Sequence, residues 1–277
     1  MKNKKQIIIL IVILSILIVF LTATMFLLIN KDFNFRFMFN NSQMKLIESY
    51  ETLALDIENI NLDMIDGDID VRESKNENIK IEYYNNKDKN NKIISFNAGT
   101  IYVAEEQNHC FGFCFNNSKL IIYIPSTYLG LYDVKTISGD INLKVDITNK
   151  INIKTTSGDV NIEKADNIDI ETTSGDIKVN KSDKAIIKSV SGDVIFNNIL
   201  GSFNIKTTSG DITLGEIEIN EDSFIDTVSG DVFIESNNNN NYIDYETVSG
   251  EKEINNSNRT SQFTIKIKTI SGDISVN

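Results

Sequence analysis

Two hydrophobic patterns divide the chain. From Ile7 to Ile29 apolar residues run on with no charged side chain among them, and about 23 residues at 1.5 Å of helical rise cover a hydrocarbon layer of roughly 30 Å. Beyond about residue 50 the run gives way to alternation of apolar and polar positions, the period-two signal of half-buried strands. The first pattern predicts one membrane-spanning helix and the second an all-β body.

The alternation is keyed to a triplet, Ser-Gly-Asp or a close variant. Aligned on glycine it occurs eight times, at Gly139, Gly158, Gly175, Gly192, Gly210, Gly230, Gly250 and Gly272, with spacings of 17 to 22 residues. A fixed period near 20 is the mark of a stacked solenoid. Around the third copy, Ile168, Ile170 and Thr172 share one parity before the triplet, whereas Ile177 and Val179 share the other parity after it. A strand running straight through would turn one of these apolar sets outward, so the triplet must be a bend or bulge. Glycine supplies backbone conformations closed to most residues, and Ser and Asp favour turns by bonding nearby N–H groups. Each repeat is therefore strand, corner, strand and return, with the length variation confined to the return, from "EKADN" to "NNSNRTSQFT".

Upstream, "INLDMIDGDIDV" is a degenerate copy on the same frame, and "IKIEYY", "IISF", "TIYVAE" and "KLIIYIP" read as strands of a less regular part. The predicted fold is an all-β, single-stranded β-solenoid (a β-helix or roll) of about eight to nine coils preceded by one transmembrane helix. The expected boundaries are a tail at 1–5, the anchor at 6–30, a juxtamembrane linker at 31–50, an irregular β part at 51–130 and the regular array at 131–277. In the seventh copy Glu251 replaces Asp and Lys252 occupies an apolar position, so the array is expected to loosen there. The last coil is expected to leave open sheet edges near Asn277, which makes end-to-end self-association a candidate.

Lys2, Lys4 and Lys5 precede the apolar run, which by the positive-inside rule places the N-terminus in the cytoplasm and the β body outside a cell membrane crossed once. The competing reading is a cleaved signal peptide, whose apolar stretch is ordinarily shorter and followed by a small-residue cleavage site. The formal net charge is −12 with three arginines, Arg36, Arg72 and Arg259. That balance argues against a nucleic-acid surface, which needs clustered basic side chains.

Candidate chemistry is sparse. Cys110 and Cys114 flank "FGF" beside His109; a small disulfide, free thiols and a metal site remain open, the last lacking an obvious fourth ligand. Stacking would align Asp140, Asp159, Asp176, Asp193, Asp211, Asp231 and Asp273 in one column, with Glu251 standing in at the seventh copy. Carboxylates about 4.8 Å apart repel by about 0.9 kcal/mol per pair even at the dielectric of water. Either solvent and turn N–H groups relieve this, or cations do, and calcium is the candidate cation because it takes several oxygen ligands. The serines of the triplet occupy equivalent corners, so none is singled out beside a base as a nucleophile must be. Thr136, Thr155, Thr172, Ser189, Thr207, Thr227, Thr247 and Thr269 share the inward parity and are positioned to bond the corner backbone. The β-branched residues next to the serines, such as Ile137, Val190 and Ile270, form an outward stripe.

An apolar anchor, an irregular strand region ending in "IYIPSTYLGLYDVKTISGDI" and reiterated Thr-x-Ser-Gly-Asp together resemble the bacterial "putative adhesin" domain family of unknown function, of the LiaG-like kind, over roughly residues 50 to 277. The resemblance implies a β-solenoid outside the membrane and brings no catalytic residues with it. The function expected is non-enzymatic: a membrane-anchored module for adhesion, scaffolding or envelope-stress sensing, with cell-wall polymer, a surface protein or a second copy as partner. The alternatives are a polysaccharide-cleaving β-helix enzyme, a calcium-binding surface module and a cytoskeletal filament, the last disfavoured by the apolar run.

Overall fold

The computed structural model describes residues 44–86, 92–105, 117–238 and 241–277. The expected tail and anchor, most of the expected linker, and His109, Cys110 and Cys114 lie outside the described residues. Among those described, no helix is long and apolar enough to cross a membrane. Residues from Met44 to Asn277 form one compact unit.

Among the described residues that unit is built of strands with a single 3-10 turn, Ala54–Asp56. Before the regular array come β1 (Lys45–Leu53), β2 (Asn59–Met64), β3 (Asp68–Glu73), β4 (Asn78–Asn85), β5 (Ile94–Asn97), β6 (Thr100–Ala104) and β7 (Ser118–Ile124). The array comprises β8 (Leu131–Ser138), β9 (Ile141–Ser157), β10 (Val160–Thr172), β11 (Ile177–Ser191), β12 (Val194–Ser209), β13 (Ile212–Ile217), β14 (Ser223–Ser229), β15 (Val232–Asn237), β16 (Tyr242–Ser249), β17 (Lys252–Ile254), β18 (Thr264–Ser271) and β19 (Ile274–Val276).

The strands stack in parallel, in register by repeat: Ile170 lies beside Ile153 and Ile187, and Ile177 beside Val160 and Val194. Ile168, Ile170 and Thr172 before the third corner and Ile177 and Val179 after it are all buried, as the parity change requires. A fully buried aliphatic side chain contributes roughly 1.5–3 kcal/mol, so a one-residue slip of either arm would forfeit two such contributions per coil. That penalty, repeated at every corner, fixes the register.

The order of the coils departs from the order of the sequence at both ends. Before the corner the ladder runs β6, β2, β8, β9, β10, β11, β12, β14, β18, β16, ten strands among the described residues. After the corner the matching ladder runs from β7 and β3 to β15, β19 and β17. The eighth copy is thus inserted between the sixth and seventh. Asn277 lies inside the stack, donating to the Ile234 carbonyl at 3.0 Å, and the expectation of an open last coil is corrected: the seventh copy is the end coil. Its apolar set explains the exchange, because Ile265, Ile267, Ile274 and Val276 of the eighth copy bury fully, whereas Lys252 has no place between two neighbours.

At the other end β6 and β7 lie outside β2 and β3, each paired in parallel with its neighbour. Antiparallel strands then close that end, β5 on β6, β4 on β7 and β1 on β4. The stretch expected to be linker therefore ends before residue 45. Ile47 and Tyr50 of β1 pack against the core, although Glu48 and Glu51 make its alternation too weak to read as a strand. The Glu48 carboxylate accepts the N–H groups of Ile93 and Ile94 at 2.8 and 3.3 Å, capping backbone beside β5.

Candidate functional site: corner columns and outer faces

At the corners the chain folds so tightly that backbone meets backbone. Gly139, Gly158, Gly175, Gly192, Gly210 and Gly230 have φ between +112° and +158°, and a Cβ on Gly175 would sit 2.2 Å from the Gly158 carbonyl oxygen. Gly250 and Gly272 lack the positive φ expected of them, yet a Cβ on either would approach a neighbouring carbonyl oxygen to 2.1 Å. Close approach is the requirement common to all eight.

The aspartates form the expected column, and their repulsion is relieved by backbone. Each carboxylate accepts the N–H of the acidic residue in the next coil: Asp159 from Asp176 at 2.9 Å, Asp176 from Asp193 at 3.0 Å, and onward through Asp193, Asp211 and Asp231. Asp68 and Asp140 begin the series, and Asp273 hands it to Glu251 at 2.7 Å. This charge-assisted bond, repeated between coils, ties one corner to the next. Among the described residues no three acidic, His or Cys side chains converge as a metal site would need.

The inward hydroxyls serve the same corners. Thr155 and Thr172 donate to the carbonyls of Ser157 and Ser174 at 3.0 Å, as do Thr136, Ser189 and Thr207 in their coils. In these five coils the bond stays within the coil. Thr247 instead donates across to the Gly272 carbonyl of the neighbouring coil at 3.4 Å, and the hydroxyls of Thr227 and Thr269 are buried without a partner among the described residues.

Two polar clusters escaped the sequence reading because they obey no period. Glu105 follows β6 and accepts Ile65 N–H at 2.9 Å and the Tyr83 hydroxyl at 2.7 Å, so that it occupies the corner of the β2–β3 coil; burial and this carboxylate push the Tyr83 hydroxyl well above its usual range. Asp70 is buried and accepts Arg72 at 2.8 Å and Lys119 at 2.9 Å. Burial alone would raise its pKa, but the two cations outweigh that and hold the carboxyl below the usual range.

Outward positions before the corners make a flat face of stacked columns. One column is β-branched, with Ile137, Val190, Val228 and Ile270 all exposed. The next two are charged or polar and, in the first coils, closed by ion pairs: Lys135 with Asp133 at 3.6 Å, Lys150 with Asp169 at 3.4 Å and Lys154 with Glu171 at 3.2 Å. After the corners the outer face carries amides in contact, Asn161 on Asn142 and Asn197 on Asn180.

A family model described as Toastrack DUF4097 matches residues 57–277. Among solved structures, this chain is similar to a "putative cell adhesion protein" from Clostridium sporogenes, at 14% identity over 84% of this chain and 99% of that one, with a TM-score of 0.30. A "putative adhesin" from Bacteroides fragilis is similar at 12% identity over 85% of this chain and 99% of that one, with a TM-score of 0.41. No curated protein matches.

Proposed function

We propose that this chain, which belongs to the Toastrack DUF4097 family, is a non-catalytic binding scaffold, tethered to the cell membrane by its N-terminal apolar run, that holds its β-solenoid outside the cell against the cell wall. The observation that carries this reading is the equivalence of the corners. Their carboxylates accept N–H groups of the next coil and most of their inward hydroxyls bond a carbonyl of their own coil, which leaves no serine or aspartate distinguished as a nucleophile or base. What the repeat offers to a partner is its faces, and a periodic face suits adhesion or scaffolding on a polymer. Resemblance to adhesin-like proteins supports the same assignment, and Lys2, Lys4 and Lys5 before the apolar run support the side of the membrane.

Protease shaving of intact cells that express the full chain tests the placement. Digestion of the β body without lysis is the expected result, and protection until lysis would overturn it. Binding is tested by co-sedimentation of the detergent-solubilised chain with purified cell walls. Retention is expected, and a chain that stays in the supernatant at every ionic strength would sink the reading.

A further inference from the structure

At the end of the flat face away from β1, four strands, β12, β14, β18 and β16, floor a trough of about 430 Å³. Its walls include Lys206, Phe224, Asp226, Asp244, Tyr245 and Lys266. Three features set it apart from the same columns in the first coils. Phe224 is 41% exposed at an outward position where the aligned residues are Asp133, Asn152, Asp169, Ile186 and Asn204, so that it is the aromatic ring in a column otherwise polar or, at the exposed Ile186, aliphatic. Tyr245, at the inward position of the end coil, is 40% exposed. Of the charged side chains here only Lys268 and Glu246 close an ion pair, at 3.0 Å, while Lys206, Asp226, Asp244 and Lys266 close none among the described residues. Asn204, also in the wall, has its amide oxygen shielded from solvent and without a hydrogen-bond partner.

From this geometry we infer that the trough is a glycan subsite, and that its occupant is a stretch of pyranose chain from the cell wall lying along the stack. The inference rests on the proposed wall-binding scaffold and names the class of ligand that scaffold holds. An aromatic ring flanked by free hydrogen-bonding groups of both signs matches a sugar, which presents an apolar C–H face and a rim of hydroxyls. Two lysines against two aspartates leave the free groups balanced, which suits a chain of little net charge over a polyanion or polycation. Four coils span three spacings of about 4.8 Å, roughly 14 Å, and each spacing is close to the length of one pyranose ring. An extended peptide fits less well, because peptides are read by adding a strand to an edge, and three of the four floor strands are paired on both sides.

The test is calorimetric titration of the full chain in detergent micelles with chitotetraose and cellotetraose, beside the variants Phe224→Ala, Asp244→Asn and Lys154→Ala. Binding of at least one tetrasaccharide is expected, weakened tenfold or more by Phe224→Ala and severalfold by Asp244→Asn, and unchanged by Lys154→Ala, which lies on the same face in the first coils. Phe224 points outward, so Phe224→Ala should unfold at the wild-type temperature, which a thermal melt checks. Failure to bind either sugar, or binding indifferent to Phe224→Ala, overturns the subsite. Wall retention with neither sugar bound would sink the subsite and leave the scaffold standing. Loss of wall retention would sink the scaffold, and binding of free sugar is read separately from it.

Discussion

Alanine at Gly175 would have to accept a φ of +117° and a Cβ 2.2 Å from the Gly158 carbonyl oxygen, and the two corners have little room to move apart because the strands that flank each of them are paired in register. Gly175→Ala is expected to cost about 2–4 kcal/mol, read as a fall in denaturant midpoint; the exposed Lys178→Ala, on the outer side of the same coil, is the comparison and should move it little. Asp70 gives a pH signature. Its carboxyl is held below the usual range in the folded chain by Lys119 and Arg72, so its stabilisation is complete above the unfolded value and is lost as pH falls through the lower folded one. The deficit of Asp70→Asn against wild type should therefore be constant from neutral pH to about 5 and narrow below about pH 4, as thermal melts across that range would record; a deficit constant to pH 2 would remove Asp70 from the account. How much of this was legible differs residue by residue. The glycines announced themselves through the parity change across them. The destination of the aspartate carboxylates did not, because the N–H each accepts belongs to the next coil, and Glu105 and Asp70 sit at positions no repeat marks.

Among elements, the end coil shows how local chemistry sets an edge. Among the described residues β16 and β17 pair on one side only, with β18 and β19, and an unpaired parallel edge invites another strand. Lys252 stands at the position held by Ile274 in the neighbouring coil and lies 5.1 Å from the centre of the Tyr245 ring. Glu251, Glu253 and Lys252 are all exposed there. Charge at the edge is a device against edge-to-edge association. Lys252→Ile should therefore make the chain self-associate, seen as a concentration-dependent rise in mass by sedimentation; a variant as monodisperse as wild type would assign Lys252 no such role. The sequence showed the seventh copy as irregular, and its departure from pattern is explained once its place at the edge is known. Strand edges and β1 were less legible, since half-exposed strands with glutamates between their apolar residues lose the alternation that identifies buried ones.

For the whole unit, a repeat predicts that coils stack but not in what order, because most coils present the same kind of inward residues and the same corner to either neighbour. Gly spacing is therefore silent on whether the seventh or the eighth copy follows the sixth; burial decides it, by placing the copy with the full aliphatic set between two others and the copy with Lys252 outside. The exchange yields a test that sequential stacking fails. Phe224 and Lys266 are register partners in adjacent strands, as are Asp244 and Lys266, whereas Phe224 and Asp244 are separated by β18. Neighbouring strands lie about 4.8 Å apart, within the Cα separation a disulfide spans, and strands two apart are beyond it. In a chain with Cys110 and Cys114 replaced by serine, the pair Phe224→Cys with Lys266→Cys should cross-link on mild oxidation, and the pair Phe224→Cys with Asp244→Cys should not. The opposite result would restore sequential order, return Asn277 to the open end, and dismantle the trough, whose floor exists only if β18 lies between β14 and β16.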